Sequence, residues 1–183
     1  MPAGPRNVTR TVVSSIPQAA VMFAVYGPDK SNVAAPRTVT LAAEVLTQRM
    51  SKVLQQEKHL VQGARAMLQP GDAMPGFGLL AVRAPCQPAK APELLAGIKE
   101  MFEQMAATPA TAEEVEAAKK MIISQLESQS REPKFWLERL ETLDYDGLTL
   151  DAFGPPSEMY GKINAADVAA AFGKYYAPDR VIS

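Results

Sequence analysis

Few residues of this sequence belong to the types that usually carry chemistry. The 183 residues include one histidine, His59, and one cysteine, Cys86. An internal disulfide or a zinc ribbon needs more cysteines, and a metal site with paired imidazoles needs a second histidine, so none of these can form within this chain. We interpret His59 as a surface residue at the carboxyl end of a predicted helix. Cys86 follows Pro85 in a predicted loop. A basic cluster would lower the pKa of its thiol, but none lies beside it in the sequence.

Two acidic clusters have structural interpretations. Glu113, Glu114 and Glu116 follow Thr111, and the pair Thr111 and Glu114 has the spacing of a capping box at a helix start. Residues 144–147 begin like a calcium loop but lack the downstream glutamate and the loop spacing of an EF-hand, so we predict a turn there. No glycine pattern is typical of a phosphate-binding loop.

Composition excludes further classes of protein. The chain has 19 Lys+Arg and 20 Asp+Glu, a net charge of −1, whereas a nucleic-acid-binding domain is normally basic. No run approaches the roughly 20 apolar residues of a membrane span. The start lacks the apolar region of a secretory signal, so the sequence names no compartment, and for a bacterial protein the periplasm and the cytoplasm both remain open. The 47% apolar content suffices for one domain with a core.

Patterning along the chain predicts an α+β domain. Short β-branched or apolar runs bounded by turn residues predict strands over residues 10–15, 18–26, 60–68, 77–83 and 179–183. Gly63 and Gly78 fall inside two of these strands, where a glycine indicates a bulge or a close approach by another backbone. The last predicted strand is shorter than usual, so we expect a piece of a longer chain.

Helical spacing predicts five helices. One apolar stripe predicts a long helix over residues 35–57, and further helices begin at Pro92, at the Thr111 cap, at Pro133 and at the Asn164 cap, the one from Pro133 ending near Gly147. Trp136 and the tyrosines are interpreted as core residues. Strands grouped apart from helices predict an antiparallel or mixed sheet with helices packed on one face.

The segment 41–64 reads LAAEVLTQRMSKVLQQEKHLVQGA. It resembles a stretch of the pitrilysin/insulinase family of zinc peptidases, which include the mitochondrial processing peptidases, with Leu46, Arg49, Met50, Leu54 and Leu60 in the matching frame. The start TAEEVEAAK at residues 111–119 is similar to the family's T-x-E-E-L-x-x-A-K. Residues 163–180 resemble its I-T-x-x-D-V…K-Y-x-x-P-D ending. The resemblance covers the chain from about residue 18 onward.

The resemblance implies which half of such an enzyme this is. In that family two homologous halves enclose a peptide-degrading chamber, and one half carries H-x-x-E-H for zinc. Since one histidine cannot supply that motif, the chain resembles the metal-free, C-terminal half. That half can give an Arg and a Tyr to the active site; here Gln55 and Gln62 stand at those positions. They are substrate-contact candidates without fixed charge or phenol.

Three functions follow from this sequence. In the first, residues 1–183 form the inactive domain of a longer two-domain zinc metallopeptidase, whose partner half holds zinc and a peptide substrate; this chain alone would bind no metal and cleave nothing. In the second, the chain is a catalytically inactive structural or core subunit, or a protein-binding scaffold. In the third, it is a free-standing α+β binding module. No catalytic residue, nucleic-acid partner or membrane span is predicted.

Overall fold

The computed structural model describes residues 6–13, 15–30, 34–71 and 76–183. Over these ranges a three-stranded antiparallel sheet of order β1-β3-β2 packs with six α-helices. The α+β class predicted from the sequence is confirmed. The elements in chain order are β1 (Ala19–Gly27), α1 (Ala34–Met50), β2 (Arg65–Gln69), β3 (Gly78–Cys86), α2 (Ala91–Ala107), α3 (Ala112–Gln129), α4 (Pro133–Glu141), α5 (Pro156–Gly161) and α6 (Ala165–Tyr175).

The sheet is covered by helices on one face. Along β1, Val21, Phe23 and Val25 are buried, whereas Met22 between them is 57% exposed. Because side chains alternate across a strand, the buried set faces the helices and Met22 faces outward. Phe23 packs against Phe102 of α2 with ring centroids 4.8 Å apart. The predicted one-sided packing is therefore confirmed.

The ends of the chain differ from the sequence prediction. The predicted strand over residues 10–15 is wrong where the structure describes it: residues 10–13 and Ser15 are not in a strand, and Ser14 lies outside the described residues. Val12 and Val13 are 80% and 101% exposed, so their β-propensity meets no surface to pack on. The predicted closing strand is reduced to bridges from Ile182 to Ala24 of β1 and to Arg6.

The long predicted helix is present but changes type. It begins as α1 and continues over Ser51–Glu57 as a π-helical stretch, here called the π segment. Leu54 on this segment is fully buried. A Cβ added at Gly97 of α2 would lie 2.7 Å from the Leu54 Cδ2 atom. The glycine thus lets the wider π turn approach α2 closely.

One ion pair joins α1 to the start of α3. The Arg49 guanidinium donates to both oxygens of Glu114 at 2.7 Å each, and also to the backbone carbonyls of Thr108 and Pro109 at 3.0 and 3.3 Å. Glu114 closes the predicted capping box with Thr111, which is confirmed. The Arg49 hydrogen bond is the main cause that lowers the pKa of Glu114, to about 2.

The second half of the chain contains both agreements and corrections. The helix starting at Pro133 ends at Glu141 rather than near Gly147, because turns follow and Gly147 has φ +64°. The turn predicted there is confirmed, as is the Asn164 capping box of α6. The sequence patterning missed α5. Trp136 lies on α4, which contributes no fully buried residue, and is itself half-buried. The assignment of Trp136 to the core was therefore wrong.

Two glycines predicted inside strands have different outcomes. Gly78 begins β3, and a Cβ there would overlap the backbone carbonyl of Pro28, so the predicted close approach is confirmed. Gly63 lies before β2, and nothing stands within 4 Å of its Cβ position, so that prediction was wrong.

We expect Glu114→Gln to lower the free energy of unfolding by about 1–2 kcal/mol at neutral pH, because the charge-assisted hydrogen bonds from Arg49 are weakened. The lowered pKa means that the carboxylate stabilises the fold fully above its ordinary value of 4.5 and loses this effect as the pH falls through about 2. Urea titrations of both proteins at several pH values measure this, and their stabilities should converge in acid. Glu113→Gln, at an exposed neighbouring position, is the control; an equal loss there would contradict the assignment.

We expect Gly78→Ala to destabilise the protein by about 2–4 kcal/mol, because the new methyl group has to displace the Pro28 backbone. Gly63→Ala has open space and should be neutral or stabilise by about 0.5 kcal/mol. Thermal unfolding of the two variants measures the difference, and equal midpoints would refute the close approach at Gly78.

Candidate functional site

Gln55 is positioned by the π segment. The residue is half-buried, and its Oε1 atom accepts a hydrogen bond from Ser51 Oγ at 3.1 Å. Its backbone carbonyl lies 3.1 Å from Nδ1 of His59, a hydrogen bond when that nitrogen carries the proton. Leu54, the residue before Gln55, is buried and anchors the π segment in the core. This anchor fixes the backbone from which the Gln55 side chain extends.

His59 ends this helix in an unusual backbone conformation. Its φ is +50°, and the amide of Leu60 donates to the carbonyl of Leu54, six residues earlier, at 2.9 Å, which closes a wider turn than an α-helix has. Lys90 Nζ donates to the His59 carbonyl at 2.8 Å. The prediction of an exposed histidine at a helix carboxyl end is confirmed.

A cleft of about 440 Å³ brings both predicted glutamines together. Gln55 lines it from the π segment, and the exposed Gln62 lines it from the chain leading to β2. The remaining lining residues are Pro17, Gln18, His59, Leu60, Val61, Pro85, Cys86, Gln87 and Lys90. The four glutamine amides can donate to and accept from a peptide backbone, and the Lys90 ammonium can only donate.

Cys86 brings a thiol, a potential nucleophile, to this cleft. It is the last residue of β3 rather than a loop residue, which corrects the sequence assignment, because its backbone pairs with Ala19 of β1. Burial raises the pKa of its thiol above the ordinary value of 9.0. A protonated thiol is a poor nucleophile.

Metal ligands are not grouped in the part of the chain that the structure describes: no three His, Cys, Asp or Glu side chains there could hold a metal ion together. The acidic residues predicted as capping and turn residues take those roles, Glu114 at the start of α3 and Asp146 beside Lys30 and Thr142. In the same described residues, no helix is both long and apolar enough to cross a membrane.

The sequence patterning missed a second, larger cleft of about 750 Å³. Phe135 and Trp136 line it, together with Phe153 and Tyr160 from the region after α4. A signal was present, since Phe135, Trp136, Leu137 and Leu140 are more apolar residues than one buried stripe of a nine-residue helix takes.

This chain is similar to known proteins in sequence and in fold. The peptidase M16 inactive-domain family profile matches residues 2–122. No curated protein sequence matches this chain. Among solved structures, the peptidase M16 inactive domain from Pseudomonas fluorescens is 17% identical with a TM-score of 0.76, over 98% of this chain and 42% of that one.

Two other structures show the same fold. The ferredoxin protease FusC, in complex with Arabidopsis ferredoxin, is 18% identical with a TM-score of 0.74, over 98% of this chain and 20% of that one. An inactive peptidase domain from Bordetella parapertussis is 18% identical with a TM-score of 0.72, over 94% and 93%. This chain therefore spans about two fifths or less of the first two proteins.

We expect His59→Gly to stabilise the protein by about 0.5–1 kcal/mol, because a residue with a Cβ is strained at positive φ. Lys58→Gly, one position earlier at φ −90°, should destabilise it by about 0.5–1 kcal/mol through lost chain entropy. Chemical denaturation of both variants checks this opposition of sign. Destabilisation at both positions would show that the His59 side chain, and not its backbone conformation, matters for the helix end.

Proposed function

We propose, since this chain belongs to the inactive-domain family of M16 peptidases, that it forms the non-catalytic half of a zinc metallopeptidase. It would enclose a peptide together with a homologous half that holds the zinc. That half would be part of the same polypeptide or a partner subunit. Residues 1–183 would then be one domain of a two-domain assembly.

The observation that carries this proposal is the meeting of Gln55 and Gln62 in one cleft. These are the positions at which the family resemblance places an Arg and a Tyr that reach the active site of the other half. Gln55 lines the cleft from the π segment, and Gln62, seven positions later, lines it from the chain before β2. An amide can bind a peptide carbonyl or N–H, but it supplies no charge to a transition state.

The assignment of zinc to the other half rests on ligand chemistry. A catalytic zinc takes three protein ligands, commonly with two imidazoles. The one histidine, His59, faces its own helix carbonyl at Gln55. We therefore assign to this chain the enclosure and orientation of the peptide, and to the partner half the metal that activates water.

Binding of a protein substrate has support among the relatives. FusC, which shares the fold, is described as a ferredoxin protease and is seen in complex with ferredoxin. A peptide substrate for the assembly containing this chain agrees with the amide-lined cleft, whose Lys90 ammonium is already held by the carbonyl of His59.

A second function is favoured by one observation. Both cleft positions carry neutral amides where the family can carry a cation and a phenol. A catalytically inactive core subunit or scaffold would need neither the cation nor the phenol. In that case the same surface would contact a protein and no chamber chemistry would depend on Gln55 or Gln62.

Reconstitution with the zinc-bearing half separates these functions. The isolated chain should show substoichiometric zinc by elemental analysis and no peptide hydrolysis, and adding the zinc half should restore hydrolysis. Gln55→Ala and Gln62→Ala should each raise KM about 3–10-fold, the value of one hydrogen bond, with a smaller change in kcat. Gln69→Ala, exposed on β2, is the control.

Two outcomes would contradict the first function. Stoichiometric zinc or hydrolysis by the isolated chain would show that it carries its own active site. An active complex with unchanged KM in both cleft variants would favour the scaffold.

A further inference from the structure

The cleft of about 750 Å³ has the size and lining of a small-molecule site. It lies among the start of α1, the helix α4, the residues after it and α5. Pockets for small ligands typically measure about 300–1,000 Å³ and combine apolar walls with a few polar groups. The argument uses Arg37, Phe135, Trp136, Arg139, Phe153 and Tyr160, all of which line the cleft.

Arg139 provides a positive charge that forms no ion pair within the described residues. Its guanidinium lies 3.5 Å from the Phe135 ring centroid and 5.9 Å from that of Phe153. Among the described residues, its one hydrogen bond is long, 3.4 Å from Nη1 to the Phe135 carbonyl. Burial is the main cause that lowers the pKa of Arg139, but a guanidinium stays charged at neutral pH. Most of its five N–H donors are therefore open to a ligand.

The carboxylates around the cleft have partners of their own. Asp146 receives hydrogen bonds from Lys30 Nζ at 3.3 Å and from Thr142 Oγ1 at 2.9 Å. Glu138, mostly exposed, is 3.6 Å from Lys134. Across the described residues, neither Arg37 nor Arg139 forms an ion pair with a carboxylate, and Arg37 donates to the Ala152 carbonyl at 2.7 Å. The cleft thus carries two guanidinium groups that form no ion pair in the described part of the chain, and the exposed Glu138 acts on Arg139 only through its charge.

Tyr160 adds a neutral donor beside these charges. The residue is 7% exposed, and burial is the main cause that raises the pKa of its phenol. The charges of Arg37 and Arg139 act in the opposite direction, so both guanidinium groups lie within electrostatic range of the phenol. Its hydroxyl keeps its proton at neutral pH and can donate it to an anion.

The wall beside this charge is aromatic. Phe135 and Trp136 meet edge to face at a centroid distance of 5.4 Å, and the Trp136 indole is fixed by a 2.7 Å hydrogen bond from Nε1 to the Ser130 carbonyl. A flat apolar body fits against such rings, whereas a small inorganic anion would leave them in contact with water.

We propose that this cleft binds a small aromatic monocarboxylate. The carboxylate would accept hydrogen bonds from Arg139, with Arg37 and Tyr160 adding charge and a donor. The ring would lie against Trp136 and Phe153, since the Arg139 guanidinium already covers one face of Phe135. A guanidinium fork matches the two oxygens of a carboxylate, which a neutral amide cannot do. The site is separate from the Gln55 cleft and does not depend on the peptidase assignment.

Trp136, the one tryptophan of the sequence, reports on the cleft directly. Titration of the 183-residue chain with hydrocinnamate should change its fluorescence saturably. Hydrocinnamamide, with the same shape and no charge, should bind about tenfold more weakly, since a charge-assisted pair accounts for about 1.4 kcal/mol. Equal affinity for acid and amide, or no binding of the acid by fluorescence and by calorimetry, would overturn the proposal.

Substitutions locate the carboxylate. Arg139→Gln should weaken hydrocinnamate binding about tenfold, and Arg139→Lys should fall between it and the unchanged protein because it keeps the charge without the fork. Arg131→Gln, at an exposed position outside the cleft, should leave binding unchanged. Unchanged binding in Arg139→Gln would overturn the proposal. If that variant does not fold, the comparison of acid and amide on the unchanged protein decides.

A short peptide ending in phenylalanine tests the source of the carboxylate. Stronger binding of hydrocinnamate than of the peptide supports the small-molecule assignment. Binding of the peptide with a free, but not an amidated, carboxyl end, in the absence of hydrocinnamate binding, would overturn it in favour of a peptide terminus.

Discussion

The paired hydrogen bonds between Arg49 and Glu114 are the constraint on which the helical layer depends. Arg49 lies one position before the end of α1, and it holds the first turn of α3 and the backbone after α2 at once. Glu114 simultaneously caps its own helix through Thr111. The ion pair is partly exposed, so its net energy is modest, but it connects three chain segments.

The cleft that contains Gln55 depends on this connection. Arg49 fixes the end of α1, and the π segment follows immediately, so its Leu54 meets Gly97 of α2. A π turn adds a residue per turn and changes which side chains face inward. Leu54 therefore enters the core while the next residue, Gln55, remains at the cleft. The strained His59 then reverses the chain toward Gln62.

Local signals were sufficient for much of the fold. The capping boxes at Thr111 and Asn164 and the apolar stripe of α1 are encoded within a few residues, and each was predicted from spacing. The π segment could not be predicted, because the closeness of Gly97 and Leu54 is a contact between segments far apart in sequence. The strand expected over residues 10–15 failed for the same reason, since Val12 and Val13 have no surface to pack on. The resemblance pointed to Gln55 and Gln62, but only the structure brings them into one cleft.

The separation of stabilising and cleft residues explains how a domain of this family can exist without a metal. The fold is held by buried side chains such as Leu46, Met50 and Leu54 and by the Arg49 pair, none of which needs a bound ion. Gln55 and Gln62 are half-buried and exposed, so changes there alter the chemistry of the cleft at little cost to the free energy of unfolding. Substitutions at these two positions can therefore change the groups that the cleft presents, while the helical layer beneath them stays the same.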